Sequence, residues 1–205
     1  MAKRPIFITG IGTGIGKTIV SAILVEKLKA DYWKPVQSGD LDNSDTLLVK
    51  SLISNPVSRF HPEAYRLTQP FSPHKSAALD GIEIDPQKII IPETDNQLII
   101  EGAGGLMVPL NDRFLMIDLI QQLNAEVVLV SQNYLGSINH TLLSTEALKQ
   151  RGIPIKAIIF NGDSDGWSED VIRKQSVAQF INIPRIAVID KSNLAIYAKT
   201  LTIQV

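Results

Sequence analysis

The chain has 205 residues, 44% of them hydrophobic, which is enough apolar material for the core of one α/β domain. Twenty basic residues against twenty-one acidic ones leave a formal charge of −1, which argues against general attraction to nucleic acid or membrane surfaces and favours small anionic ligands. With no cysteine, disulfides, thiol nucleophiles and cysteine-held metal or iron–sulfur sites are excluded.

After Met1 to Arg4 the first apolar run is too short for a secretory signal, and no stretch is long enough to span a bilayer, so a cytoplasmic protein is expected. Residues 6–8 read as a buried strand, residues 10–18 spell GIGTGIGKT, and an amphipathic helix is expected over 19–29. This order makes a phosphate-binding loop. Glycines let consecutive amides converge on phosphate oxygens, and the helix that follows points its positive end at the same place. Lys17 is then expected at the terminal phosphates and Thr18 at a magnesium ion. The usual pattern places a glycine where Ile11 stands; here the leading glycine is Gly10, so the loop is one residue longer.

A second strand over 30–34 runs into Lys34, Pro35, Val36, Gln37, Ser38 and Gly39, and Ser44 is placed to cap a helix carrying Leu47, Leu48 and Leu52. Between 55 and 95, Pro56, Pro62, Pro70, Pro73, Pro86 and Pro92 break any long element, so loops with at most one short helix are expected there. A strand over 98–100 ends in Glu101 and the turn Gly102, Ala103, Gly104, Gly105. A helix with Ile117, Leu119, Ile120 and Leu123 follows, then a strand over 127–130, a helix over about 138–151 and a strand over 157–160 ending in Asn161. The series closes with a helix over 168–180 and a last strand over 186–189. Strands alternating with helices imply a doubly wound, mostly parallel sheet flanked by helices, a single P-loop α/β domain over 1–205 with its ligand at the carboxyl ends of the strands.

Two acids fall at such ends. Magnesium takes oxygen ligands from one or two carboxylates plus nucleotide phosphates, and Asp45 and Glu101 both suit that role. Asp45 is equally well read as a helix-start acid favourable to the dipole, whereas Glu101, between an apolar strand and a glycine run, resembles the second acidic motif of nucleotide hydrolases. Lys34, at a strand end before Pro35, is either a solvated lysine or a second cation beside Lys17, useful where charge on a transferred phosphoryl group must be stabilised.

Taken together, GIGTGIGKT, WKPVQSG, NSD, SPH, EGAGG followed by Pro109 and Leu110, LGSINH, and the strand ending in Asn161 resemble the ATP-dependent dethiobiotin synthetases over nearly the whole chain. That resemblance implies an ATP- and magnesium-dependent enzyme that activates a carbamate formed from 7,8-diaminononanoate and carbon dioxide, after which the second amine closes a cyclic urea. It implies ATP contacts from Gly14, Ile15, Gly16, Lys17, Thr18, Asp45, Glu101, Gly102, Ala103, Gly104, Asn161 and Gly162, with Asn161 at the adenine. Thr18, Asp45 and Glu101 would hold magnesium, Lys17 and Lys34 would be catalytic, and Thr13, Lys34, Ser38 and Asn139 would contact the substrate. A second adenine-side contact belongs around 189–191. His74, in SPH, matches the family, with an ordering role as open as a catalytic one.

The resemblance further implies a homodimer in which LGSINH of one subunit holds the carboxylate tail of the diamine bound to the other; by composition alone, residues 135–140 are an ordinary helix start capped by Ser137 or Asn139. Gly12 and Gly14 stand where better-known members carry acids, so any role of those acids is lost or moved. The alternative reading is a partitioning or cell-division switch ATPase of the related P-loop group, which needs a loop lysine where this chain has Gly12. An amidotransferase-type synthetase of vitamin metabolism would need a cysteine, and a pure binding module would release no ADP.

Overall fold

The computed structural model describes residues 3–203. The first strand, β1 (Ile6–Gly10), is buried along its whole length and leads through the glycine loop into α1 (Lys17–Leu28). Then come β2 (Asp31–Trp33), β3 (Val36–Ser38) and α2 (Asp45–Leu52), whose cap Ser44 accepts a hydrogen bond from the Leu47 amide, as its position in the sequence implies.

The proline-rich stretch is more ordered than the sequence implies. It holds β4 (Phe60–His61), β5 (Tyr65–Leu67), α3 (Pro73–Leu79) and a 3-10 turn (Pro86–Lys88). The strands there are too short to show a period. Each is fixed instead by a long-range partner, β4 against β2 and β5 against β3. Next is β6 (Leu98–Gly105), which continues through the residues expected to turn, and the small hairpin β7 (Pro109–Asn111) and β8 (Phe114–Leu115). The chain goes on through α4 (Met116–Gln122), β9 (Glu126–Ser131), α5 (Ser137–Gln150) and β10 (Ile155–Asn161).

At the carboxyl end the expected boundaries are corrected. The helix α6 (Gly166–Gln175) stops before residue 180, the last strand is β11 (Gln179–Ile183) rather than 186–189, and α7 (Lys191–Thr200) follows. Ile181 and Ile183 face the core whereas Val188 and Ile189 are exposed, and Pro184 prevents the strand from running on.

Seven strands form one parallel sheet in the order β11-β10-β9-β1-β6-β2-β4. Successive residues of a strand point to opposite faces, and here both faces are buried. Ile6, Ile8, Ile99, Val128 and Ile159 pack with Ile23 and Leu24 of α1 and Leu194 of α7. Phe7, Ile100, Val127, Leu129 and Ile158 pack on the other side with Ile117 and Leu119 of α4 and Leu148 of α5. β1 lies between β6 and β9, and the chain leaves it toward β2 on one side and returns to β9 on the other, so a crevice opens beyond its carboxyl end. The phosphate loop fills the floor of that crevice.

Candidate active site

Register sets the charged groups. Glu101 on β6 pairs with Ile8 on β1, and Trp33 on β2 pairs with Ile100, so Lys34 and Glu101 leave neighbouring strands at the same edge. Gly16 enters α1 at φ 84°, a left-handed conformation that a side chain disfavours, and a Cβ there would stand 2.2 Å from Nδ2 of Asn161. Lys17 folds back over the loop and donates to the Gly12 carbonyl at 3.0 Å.

The Thr18 hydroxyl lies 3.0 Å from Oδ1 of Asp45 and 2.9 Å from Oε1 of Glu101. Lys34 is ion-paired with Asp45 and stands 3.4 Å from Oε1 of Glu101. Gln37 holds Asp45 from behind: its Oε1 accepts the Asp45 amide at 3.3 Å while its Nε2 donates to the Gly39 carbonyl. On the sheet side, the Tyr32 hydroxyl donates to Oε2 of Glu101 at 2.9 Å.

Burial sets the protonation states first and the neighbours correct them. Burial pulls the Lys17 ammonium below its ordinary range, against the opposing pull of Glu101. For Lys34 burial acts the same way, but Glu101 and Asp45 outweigh it and hold the ammonium above its ordinary range. Burial works to raise Asp45, and the charge and hydrogen bond of Lys34 overcome it, so that carboxyl sits below the usual range. The Tyr32 phenol, lifted by burial and then by the charge of Glu101, sits well above its ordinary value and so keeps its proton to donate.

Lys17, Thr18, Lys34, Gln37, Asp45 and Glu101 line a cavity of about 690 Å³ with Thr13, Gly14, Gly16, Ser38, Gly102, Ala103 and Gly104. Val36, Leu48, Phe71 and Val108 add an apolar part to its wall. Ser38 lines the cavity and has a buried hydroxyl with no hydrogen-bond partner among the described residues. One hydroxyl and two carboxylates give an oxygen-only set, and among the described residues no cluster of three or more His, Cys, Asp or Glu forms an all-protein cage. That set fits magnesium, which keeps positions for phosphate and water.

A family model described as AAA domain matches residues 4–195. The chain is 58% identical over 168 residues to the ATP-dependent dethiobiotin synthetase of Christiangramia forsetii, covering 82% of this chain and 81% of that one. It is 45% identical to the dethiobiotin synthetase of Rhodopseudomonas palustris over 95% of this chain and 94% of the other. The chain belongs to the ATP-dependent dethiobiotin synthetase family.

Solved structures support the fold alone. The MinC:MinD cell division protein complex of Aquifex aeolicus matches with a TM-score of 0.61 at 14% identity, over 99% of this chain and 98% of that one. A ParA family ATPase from Chlorobium tepidum matches with a TM-score of 0.55 at 15% identity, over 97% and 98%.

Not every residue carried over from the dethiobiotin synthetases lies in the cavity. The Ile15 side chain is buried in the core below the loop, which leaves only its backbone for a ligand. Asn161 lies at the end of β10 and donates from Nδ2 to the Ile15 carbonyl at 2.9 Å, and Gly162 follows it beside Gln132. Asn139 is exposed in the first turn of α5 and borders a separate hollow with Tyr134, Leu135 and Asp163. His74 is in the first turn of α3, its Nδ1 buried and without a partner among the described residues, and it does not line the cavity. Residues 189–191 bridge an exposed bend and the start of α7.

Two contributors went unread in the sequence. Gln37 sits inside the WKPVQSG motif, where a buried amide beside two charges was the available signal. Tyr32 gave none beyond a hydroxyl between Asp31 and Trp33 in a three-residue strand.

Proposed function

We propose that this chain closes a cyclic urea, converting 7,8-diaminononanoate, carbon dioxide and ATP into dethiobiotin, ADP and phosphate, as a cytoplasmic carbon–nitrogen cyclo-ligase of biotin biosynthesis. The observation that carries this reading is the convergence of Lys17, Thr18, Lys34, Asp45 and Glu101 on one cavity at the end of β1, in a chain of the dethiobiotin synthetase family.

One amine adds to carbon dioxide and loses a proton, giving a carbamate. A carbamate oxygen attacks the γ-phosphorus and expels ADP, and the second amine then attacks the carbamoyl carbon, closes the ring and expels phosphate. The loop amides and Lys17 hold the phosphates. Lys34, kept charged by its two carboxylate neighbours, neutralises the carbamate and the γ-phosphate as negative charge gathers between them. Thr18, Asp45 and Glu101 would hold magnesium, which when bound would supply charge neutralisation at the phosphate oxygens. Thr13 and the unpartnered hydroxyl of Ser38 orient the carbamate and diamine, and the apolar wall accepts the methylene chain. Asn161 retains Oδ1 and one N–H for the adenine edge, with Gly162 alongside.

Asn139 borders a hollow apart from the cavity that holds Lys34 and Ser38, which supports a homodimer in which it serves the diamine of the neighbouring subunit. Leu135 and Leu143 are exposed on the same segment, and Ser137, almost fully buried, has a hydroxyl without a partner among the described residues. Incubation with ATP, Mg²⁺, bicarbonate and the diamine is expected to give a cyclic urea by mass spectrometry, with ADP released in step. ATP hydrolysis without the cyclic product contradicts the reading.

A further inference from the structure

Tyr32 lies at the centre of the fully buried strand β2, with no surface exposed, and its ring packs on Phe60 at a centroid distance of 5.8 Å. A phenol at that depth needs a partner for its hydroxyl. It finds Oε2 of Glu101 at 2.9 Å, and among the described residues nothing else donates to that oxygen. Oε1 of the same carboxylate receives Thr18 and Lys34. The two oxygens are therefore divided, one turned into the cavity and one anchored to the neighbouring strand. Tyr32 itself does not line the cavity.

We infer that Tyr32 is a positioning residue that fixes the rotation of the Glu101 carboxylate, so that Oε1 is already presented to the magnesium edge of the site. The inference rests on Thr18, Asp45 and Glu101 being the magnesium ligands. The last torsion of a glutamate is broad and two-fold, so a carboxylate bonded at one oxygen only samples many orientations. Bonds to both oxygens remove that freedom before a cation arrives. Partners of this kind typically carry about 10- to 100-fold in metal affinity or activity.

Tyr32→Phe keeps the ring against Phe60 and deletes only the donor. The test uses Mn²⁺ as a paramagnetic probe, with its dissociation constant from the protein–ADP complex read by electron paramagnetic resonance. Tyr32→Phe is expected to weaken Mn²⁺ binding about tenfold, with metal-free ADP affinity and the near-ultraviolet circular dichroism unchanged. Glu101→Gln is expected to weaken it as well, and adding Tyr32→Phe to that variant should produce no further loss, because both act through one carboxylate. Parental Mn²⁺ affinity in Tyr32→Phe, alongside weakened binding in Glu101→Gln, would overturn the role of Tyr32 and leave the metal ligands standing. Unchanged affinity in Glu101→Gln would remove the metal assignment and this inference with it. An equal loss of metal-free ADP binding, or of the folded signal, in Tyr32→Phe would make Tyr32 a stability residue and overturn the inference.

Discussion

Lys17 and Lys34 are both buried ammonium groups in one cavity, yet they serve different partners. Lys17 sits on the loop and bonds to its own backbone, whereas Lys34 comes from β2 and is held between Asp45 and Glu101. Lys17→Ala and Thr18→Val each remove a polar group of the cavity, proposed to meet phosphate or cation, rather than a core contact. Turnover is expected to fall at least about 100-fold, by analogy with deleting one preorganised donor, while far-ultraviolet circular dichroism stays that of the parent. Near-normal turnover in either variant would remove the loop from the reaction. Lys34→Ala is expected to lower kcat by a similar factor of about 100 and to leave ATP affinity, read by equilibrium dialysis, nearly unchanged. A large loss of ADP affinity would instead move Lys34 into the nucleotide-binding set.

Among the elements, β2 is tied down by carboxylates at two of its three residues. Glu101 meets its tyrosine at the centre, and at its start Asp31, fully buried, accepts from the Arg59 amide at 2.9 Å, Asn96 Nδ2 at 2.9 Å, Thr94 Oγ1 at 2.7 Å and His61 Nε2 at 3.3 Å. Burial works to raise that carboxyl, and the four bonds overcome it, so it lies below its ordinary value. A depressed carboxyl contributes stability that is fully present above about pH 4, the unfolded value, and is lost as pH falls through the folded one. Asp31→Asn is therefore expected to cost on the order of 1–3 kcal/mol at pH 7 by urea unfolding, and to show a shallower loss of stability below pH 4 than the parent. Identical acid slopes in parent and variant would contradict this.

Long periodic elements were legible in the sequence because burial on both faces leaves unbroken apolar runs such as 98–100 and 127–130, and because Gly16, Lys17 and Thr18 mark a strand-to-helix turn by themselves. The short strands β3, β4 and β5 were not legible, since only their distant partners define them. The end of α6 was misplaced because the run from Ser176 to Phe180 offers no glycine or proline, and the strand lying just beyond shows its burial only in three dimensions. Within the site, the loop groups proposed to hold phosphate were readable from the motif, while Tyr32 and Gln37, which hold other residues of the site, carry no local signature.

At the scale of the whole molecule, the proposed homodimer joins the cavity lined by Lys34 and Ser38 to the exposed Asn139 on α5 of the neighbouring chain. Lys34→Ala and Asn139→Ala chains, each inactive or badly impaired alone, are expected to recover roughly half the parental rate in a purified mixed dimer, because one of its two sites carries both lesions and the other neither. A mixed dimer no more active than its parents would show that Asn139 serves its own chain's site or none. The central claim is that a carbamate oxygen is phosphorylated and then leaves with phosphate, and labelling the carbon dioxide with heavy oxygen tests it most directly. A single turnover started with freshly labelled gas is expected to place one heavy oxygen in the released phosphate and leave the other in the ureido carbonyl of the product. Unlabelled phosphate released together with labelled cyclic urea would contradict the account.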